Sequence, residues 1–314
     1  MPRTEPNKRA LILANPRARL AGRVQWREAA IVELSRRYAT ELVEPRDARG
    51  TTALAREAAA EGIAVVAAAG GDGTINAVAQ GLVGTRTALG ILPLGSANDL
   101  AREYGVPRSS IAAAARRIAG GEPRAVDVVT IADRLFCGVG GLALVARAAL
   151  AVTRFKQRSP VARRVANWLG SQVYRLSATA ALIAPWRIDD ALRIRYRDAD
   201  SGERHAFETR ASALFVTNHR TLGGGLTLPV QASATDGVLE LCYVPSRSRH
   251  SLMLNFARLS AGLAIPPGVL VAIRATEATI ETGREDAFVA DGELLAEGRR
   301  FDVRVLPRAL RIVT

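Results

Sequence analysis

The sequence predicts an N-terminal α/β domain on a parallel sheet, followed by a β-rich domain of antiparallel, sandwich-like type. Three observations carry this prediction. The first 130 residues alternate short apolar runs with longer amphipathic ones, the rhythm of parallel α/β folds. After that point, short apolar runs are separated by turn-forming clusters, as antiparallel sheets require. A chain of 314 residues with 48% apolar and 23% charged residues can fill two cores. Expected boundaries are residues 1–130 for the α/β domain and 131–300 for the β-rich domain. Residues 301–314 form a terminal segment able to return to the first.

In the first half, Arg9–Asn15 (RALILAN) reads as a strand and Val24–Arg37 as a helix. Thr51–Glu61 is a second helix, with Thr51 or Thr52 as its N-cap. Ile63–Ala69 (IAVVAAA) is continuously apolar, which suits a strand buried on both faces. Thr74–Leu82 reads as a helix, Ala88–Pro93 as a strand, Ala97–Tyr104 and Ser110–Ala119 as helices, and Ala125–Ile131 as a strand.

In the second half, strands are expected at Ala191–Arg197, Arg204–Ala211, Ala213–Asn218, Gly237–Val244, Ala278–Thr282 and Ala287–Asp291. DADSGE, RTLGGG, TDG, ETGRED and EGRR supply the turns. Helices are expected around Leu142–Phe155, Val161–Ile183 and Arg249–Leu263. The final FDVRVLP…LRIVT suits closure of either sheet, and no internal repeat or low-complexity linker marks the boundary.

Composition narrows the function classes. Cys137 and Cys242 make no disulfide framework and no CxxC zinc pair, which fits a reducing cytosol. His205, His219 and His250 share no ligand spacing. The first residues lack the apolar stretch of a signal peptide, and no run is long and apolar enough to cross a bilayer. The formal net charge is +13, and all but two of the 43 cations are arginine. Between Arg134 and Arg187 there is no acid and nine cations occur, with Phe155, Trp168, Tyr174 and Trp186 among them. Such a field favours nucleic acid, phosphorylated ligands or an anionic membrane surface; a solvated basic face with its aromatics in the core is the plainer alternative. No recognised nucleic-acid motif accompanies it, so nucleic acid is not an expected partner.

The most specific feature is Gly70-Gly71-Asp72-Gly73-Thr74, where a buried strand passes into a helix. Glycines there let backbone approach a ligand and turn amides toward an anion, and the helix N-terminus favours negative charge. Thr74 and Asn76 can bind the same phosphates or cap the helix; a tight strand-to-helix turn is the plainer alternative. A second strand ends in Leu92-Pro93-Leu94-Gly95-Ser96-Ala97-Asn98-Asp99, again a glycine and hydroxyl entering a helix. Two strand ends of this kind suggest a nucleotide crevice. GxGxxG, the Walker loop and the protein-kinase signatures are all absent.

GGDGTIN followed by LPLGSANDLAR resembles the diacylglycerol kinase catalytic-domain family, particularly the bacterial YegS-like lipid kinases. The resemblance extends from LILANPRAR through Asn218, Gly223-Gly224-Gly225, Pro229 and Asp236-Gly237 to Asp291-Gly292-Glu293. It implies that Gly70, Gly71, Asp72, Gly73, Thr74, Ile75, Asn76 and Ser96 line the ATP phosphates. Asp72 would act through a catalytic magnesium, and Glu293, with Asp291 beside it, would be the base for the lipid hydroxyl. Asp236 would hold a separate structural magnesium with backbone carbonyls near Ser233 and Val238; alone, Asp236-Gly237 equally reads as a hairpin turn.

The chain departs from the family pattern in places. Ala18-Arg19 stands where Ser-Gly is frequent, and Pro45 where a threonine is expected. Phe136–Val145 lacks a usual Asn and an acid carried by many relatives. The reaction implied is phosphorylation of a lipid alcohol, such as diacylglycerol, by magnesium and ATP. An NAD kinase-like enzyme and a non-catalytic nucleotide- or lipid-binding regulator are the alternatives. The partners implied are ATP, a lipid alcohol and an anionic membrane surface met peripherally from the cytoplasm; a homodimer is an allowed assembly.

Overall fold

The computed structural model describes residues 8–18, 25–169, 172–184, 188–222 and 226–313. The chain packs into two compact units, residues 1–127 with 308–314 and residues 128–307.

The first unit alternates strand and helix: β1 (Arg9–Ala14), α1 (Gln25–Leu34), β2 (Ala39–Val43), α2 (Ala48–Ala60), β3 (Val65–Gly70), α3 (Asp72–Leu82), β4 (Ala88–Pro93), α4 (Asp99–Glu103) and α5 (Ile111–Gly120). The strands are parallel in the order β2-β1-β3-β4. Residues 311–313 lie parallel to β4 on its other side. β3 and β4 are buried along their whole length, which explains their unbroken apolar sequences. Strand order reverses between β1 and β3, so the carboxyl ends of these two strands bound the usual ligand crevice of an open α/β sheet.

Two local readings need correction. α2 begins at Ala48, and its N-cap is Asp47, whose carboxylate accepts the Gly50 N–H. Thr51 and Thr52 lie inside the helix, where Thr51 Oγ1 donates to the Asp47 carbonyl and Thr52 Oγ1 to those of Ala48 and Ala77. ATELV forms β2, a strand the sequence reading passed over because its mixed polarity suits a half-buried sheet edge.

The second unit is reached through β5 (Pro123–Ile131), which crosses the boundary. It continues with β6 (Arg134–Phe136), β7 (Val139–Ala143), α6 (Leu144–Arg158), α7 (Pro160–Leu169), α8 (Gln172–Ile183), β8 (Asp190–Asp198), β9 (Arg204–Thr217) and two short strands, β10 (Thr221–Leu222) and β11 (Leu226–Thr227). β12 (Leu239–Pro245), α9 (Arg249–Ser260), β13 (Val271–Ala290) and β14 (Glu293–Val313) complete the chain. Antiparallel pairings run from β8 to β9, β12, β13 and back to β8, so the sheet closes on itself. Phe136, Phe288, Phe301 and branched aliphatics from these strands fill the interior.

Several expected elements merge or divide. Arg204–Ala211 and Ala213–Asn218 are one strand, β9, because buried Ala211 and Ser212 carry it from β8 to β7 and β12 without a turn. Ala278–Thr282 and Ala287–Ala290 are likewise both within β13, and Asp291, expected as the last strand residue, lies in the turn that follows it. ETGRED is accommodated as a register shift between Glu281 and Asp286. Val161–Ile183 is divided into α7 and α8, with 170–171 outside the described residues. The helix expected from Leu142 starts at Leu144, because β7 takes Val139–Ala143.

α1 and α5 of the first unit are joined by a charge cluster. Arg116 donates two bonds to Glu33, at 2.7 and 3.3 Å, and Arg36 reaches the same carboxylate at 3.0 Å. The Arg116 hydrogen bond holds Glu33 below its ordinary value of 4.5, despite the opposing effect of burial. A lowered carboxylate stabilises the fold above its unfolded value and stops doing so as pH falls through its folded value. Glu33→Gln is therefore expected to lower Tm at pH 7 and much less at pH 3. An equal drop at both pH values would show that lost packing is the cause.

Candidate active site

In the first unit, three turns follow the carboxyl ends of β1, β3 and β4 and are bonded to one another. After β1, Asn15 N–H donates to the Ala69 carbonyl at 2.9 Å, and its side-chain Nδ2 donates to Thr74 Oγ1 at 3.2 Å. Asn15 Oδ1 accepts the Arg17 N–H, closing the turn. After β3, Gly71 is the N-cap of α3 and gives that helix no side-chain cap bond. Its first turn therefore presents backbone amides and the positive dipole end, the arrangement that receives a phosphate.

After β4, Leu94 N–H donates to the Gly70 carbonyl at 2.9 Å, which fastens the LPLGSAND loop to the GGDGT loop. The backbones then meet: a Cβ on Gly95 would lie 2.4 Å from Gly71 Cα, and one on Gly71 would lie 3.2 Å from Gly95 Cα. Gly95 has no room for a side chain, and one at Gly71 would be tight against the facing backbone. Asn98 sits at φ 52°, and its amide group folds the loop by accepting the Gly95 N–H and donating to the Pro93 and Gly95 carbonyls. Asp72 Oδ1 accepts the Leu100 N–H at 3.0 Å, so this acid reaches from α3 to the start of α4. Burial pushes its carboxyl above the ordinary range, against the pull of backbone N–H groups at Leu100, Asp99, Asp72 and Asn98.

The structure thus brings Gly70, Gly71, Asp72, Gly73, Thr74 and Ser96 into adjoining loops. Thr74 and Asn76 are buried, and Ile75 is buried in the core beneath. Thr74 is engaged by Asn15, so its hydroxyl helps bind the turns together. Gly95 and Asn98 carry more of the geometry than the sequence reading gave them.

In the second unit, Asp291 and Gly292 form the two-residue turn between β13 and β14, both at positive φ (50° and 82°) with Ala290 paired to Glu293. This is the backbone of a type I′ hairpin, for which Asp-Gly is favoured. Asp291 accepts N–H groups from Cys137, Gly138 and Val139 at 3.0, 3.1 and 3.2 Å, while its own N–H donates to the Val139 carbonyl. Three backbone donors make it a structural anchor. Glu293 is half-exposed, and Arg134 Nη2 donates to its Oε2 at 3.0 Å while Arg134 Nη1 donates to the Leu294 carbonyl at 2.9 Å. Sequence reading counted Arg134 only as charge; its partner lies 159 positions away, and no local pattern signals that pairing.

Around Asp236, Oδ1 accepts the Val238 N–H at 3.2 Å, and Arg274 Nη2 reaches Oδ2 at 3.3 Å. Ser233 Oγ lies 3.2 Å from Thr235 Oγ1. Glu240, the cross-strand partner of Arg274, is 2% exposed, and neither carboxylate oxygen has a hydrogen-bond partner among the described residues. Burial, reinforced by the charge of Asp236, pushes it up to about 7 against the pull of Arg274. Among the described residues no group of three or more acids, histidines or cysteines is placed to hold a metal, so Asp236 and Glu240 offer only two carboxylates to a hard, oxygen-seeking cation. An acid inside the apolar LELCY run was the available signal for Glu240. Asn218 is buried at the end of β9, whereas Gly223–Gly225 lie outside the described residues.

Residues 9–131 match the diacylglycerol kinase catalytic domain, and residues 158–314 match the YegS C-terminal NAD kinase beta sandwich-like domain. The chain belongs to the YegS-like lipid kinase family. A Klebsiella pneumoniae relative named "Probable lipid kinase YegS-like" is 31% identical over 79% of this chain and 77% of its own length. "Lipid kinase YegS" of Escherichia coli K12 is 30% identical over 81% of this chain and 79% of its own. A Chromohalobacter salexigens protein, also named "Probable lipid kinase YegS-like", is 37% identical over 61% of this chain and 57% of its own. In fold, a diacylglycerol kinase structure from Bacillus anthracis covers 98% of this chain and 96% of its own, with TM-score 0.72 and 19% identity. As a YegS-like kinase, the chain is a phosphotransferase.

For this YegS-like kinase, the Gly71–Gly95 contact yields a direct test. Gly95→Ala places a methyl against backbone, which cannot swing aside, and is expected to lower Tm and abolish nucleotide binding. Gly120→Ala, where nothing lies within 4 Å, is the control and is expected to be neutral or up to about 1 kcal/mol stabilising. Calorimetry of ATP binding and thermal melts check both; normal ATP affinity in Gly95→Ala would remove the contact from the site.

Proposed function

We propose that the chain transfers the γ-phosphoryl group of ATP, with magnesium, to a hydroxyl of a membrane lipid alcohol of the diacylglycerol type. The observation that carries this reading is the set of bonded loops at Asn15–Arg17, Gly70–Thr74 and Pro93–Asn98, which turns backbone toward one anion-binding place in a lipid kinase catalytic domain. Gly70, Gly71, Gly73, Thr74, Ile75, Asn76 and Ser96 would form the phosphate cradle. Asp72 would fix the cradle to α4 and hold the catalytic magnesium, whose part is to neutralise charge on the transferring phosphate.

Glu293 is assigned as the base. The lipid oxygen bonds to the γ-phosphorus, the bond from that phosphorus to the bridging oxygen of ADP breaks, and the hydroxyl proton passes to the Glu293 carboxylate. Arg134 keeps that carboxylate at the hairpin, and Asp291 sets the hairpin itself. Ser233, Asp236 and Val238, with Glu240 behind them, would hold a structural magnesium. A lipid substrate and a basic surface favour cytoplasmic work at a membrane, and no helix among the described residues is long and apolar enough to cross one.

Two measurements separate the roles. Glu293→Gln should lower kcat roughly 10²–10⁴-fold with unchanged ATP affinity and Tm, whereas Asp291→Asn should lower Tm. Unaltered turnover in Glu293→Gln, with labelled ATP and a lipid extract as acceptor, would overturn the base assignment. Formation of NADP from NAD would replace the lipid reading with a nucleotide-kinase one. For the structural ion, added Mg²⁺ should raise the Tm of the wild type and leave that of Asp236→Asn unmoved; equal shifts in both would remove Asp236 from metal binding.

A further inference from the structure

Eleven large apolar side chains are exposed among the described residues, and nine of them fall on two segments of the second unit, residues 155–183 and 253–263. Neither segment contains an acid. The first lies within the acid-free run from Arg134 to Arg187, and the second within another from Leu241 to Thr276. Scattered exposed leucines need no explanation, but this concentration does.

The exposed residues follow helical spacing. On α7, Val161, Val165 and Trp168 recur at i, i+4 and i+7, on the side opposite buried Ala166, and Trp168 is 78% exposed. Ala166 packs inward with Val152 of α6 and Val173 of α8, so the inner face of α7 is already satisfied. On α8, Leu176 and Ile183 are both more than half exposed, while Val173, Ala181 and Leu182 turn inward. α8 packs against both α7 and α9, and α9 adds Met253 and Leu254 to the exposed set. Exposed cations flank these stripes: Arg154 and Arg158 at the end of α6, and Arg164 on α7. Within the basic run, Arg134 and Arg147 are instead paired with Glu293 and Asp190.

We infer that the outer face of α7, α8 and α9 docks the enzyme on an anionic bilayer, with the apolar stripes in the headgroup boundary and the arginines on lipid phosphates. The inference deepens the lipid-kinase reading and rests on it for the presence of substrate in that bilayer. Charge selects the occupant. A face free of acids over two segments is complementary to anionic headgroups, and arginine stems lying beside apolar side chains suit the interface, where charge stays wet. A second copy of the chain would bring the same cations against themselves.

The full chain is tested by flotation with vesicles of phosphatidylcholine alone and of phosphatidylcholine mixed with phosphatidylglycerol. Binding is expected to the mixed vesicles and to weaken as salt rises. Trp168→Glu and Leu176→Glu, both at exposed positions, should keep the wild-type Tm and reduce vesicle binding by at least about tenfold. Arg158→Gln should weaken binding to the anionic vesicles specifically. Unchanged vesicle binding in both glutamate variants, or equal binding to neutral and anionic vesicles, overturns the inference. So does a wild-type dimer that Trp168→Glu converts to a monomer without loss of vesicle binding. A short-chain diacylglycerol in detergent keeps the two readings apart, since the glutamate variants should phosphorylate it as the wild type does. If the wild type phosphorylates no lipid yet binds anionic vesicles through this face, the kinase reading fails and the docking face stands.

Discussion

The backbone contact between Gly71 and Gly95 is the constraint on which the first unit's chemistry depends. It follows from the register of β3 against β4, which pairs Gly70 with Pro93 and sends both chains out of the sheet side by side. Two loops leaving adjacent parallel strands would ordinarily be separated by their side chains. With glycine in both, they close to backbone contact, and Gly71 gives α3 no side-chain cap bond. Other bonds of the region maintain that approach. Leu94 N–H ties the second loop to the Gly70 carbonyl, Asn98 coils it, Asp72 joins α3 to α4, and Asn15 brings in the turn after β1. The motif residues therefore divide between those at which the loops approach and those that hold the loops together.

The second unit solves a related problem with a carboxylate. A type I′ turn places Asp291 and Gly292 at positive φ, which the residues tolerate because Asp is short and Gly has no Cβ. The Asp291 carboxylate then gathers three successive backbone N–H groups of residues 137–139, and Gly138 leaves room for it, since a Cβ there would lie 2.1 Å from Asp291 Oδ1. Glu293, two residues on, is held by one flexible arginine and remains half-exposed. Two acids in one short motif have opposite environments, one saturated by backbone and one open to exchange partners. The proposed choice of Glu293 rather than Asp291 as the base draws on that contrast.

Much of the first unit was legible in the sequence because its strands are continuously apolar and its glycine loops sit at strand ends. β4 coincides with its predicted span, and Ser110 is the N-cap of α5 at the start of the predicted helix. What escaped was set by tertiary contacts. The start of α2 depends on Asp47 as a cap, while two threonines farther along offered an equally good local signal. ETGRED has turn composition, yet the pairing of β13 with β8 and β14 carries the strand through it. A helix is expected from Leu142, but Gly140 and Gly141 pack where side chains would strike Phe288 and the Leu214 carbonyl, and Leu142 continues with them in β7. In the candidate site, motif positions were legible and their connections were not. Neither the Arg134–Glu293 pair nor the isolation of Glu240 follows from residues near them in sequence.

The distribution of charge and apolar surface in the second unit has an energetic logic of its own. A cation near an anionic bilayer contributes about 1 kcal/mol, and the attraction fades within a Debye length of about 8 Å at physiological salt. Arg154, Arg158 and Arg164 together would then supply about 3 kcal/mol, enough to gather the protein at a surface and too little to keep it there. Apolar burial is insensitive to that screening and gives roughly 1.5–3 kcal/mol for a large side chain taken fully out of water. A few partly inserted side chains of the size of Trp168, Leu176 and Ile183 would match or exceed the electrostatic part. The two contributions act over different distances, the arginines drawing the helical face toward the bilayer and the apolar stripes retaining it. A kinase acting on a lipid hydroxyl benefits from both: its substrate is confined to the bilayer, while ATP and ADP exchange through water. Strong insertion would slow departure from a spent region of membrane, and charge alone would give brief, salt-dependent visits. Three separate stripes of a few residues each, on helices whose inner faces are already packed, lie between these extremes.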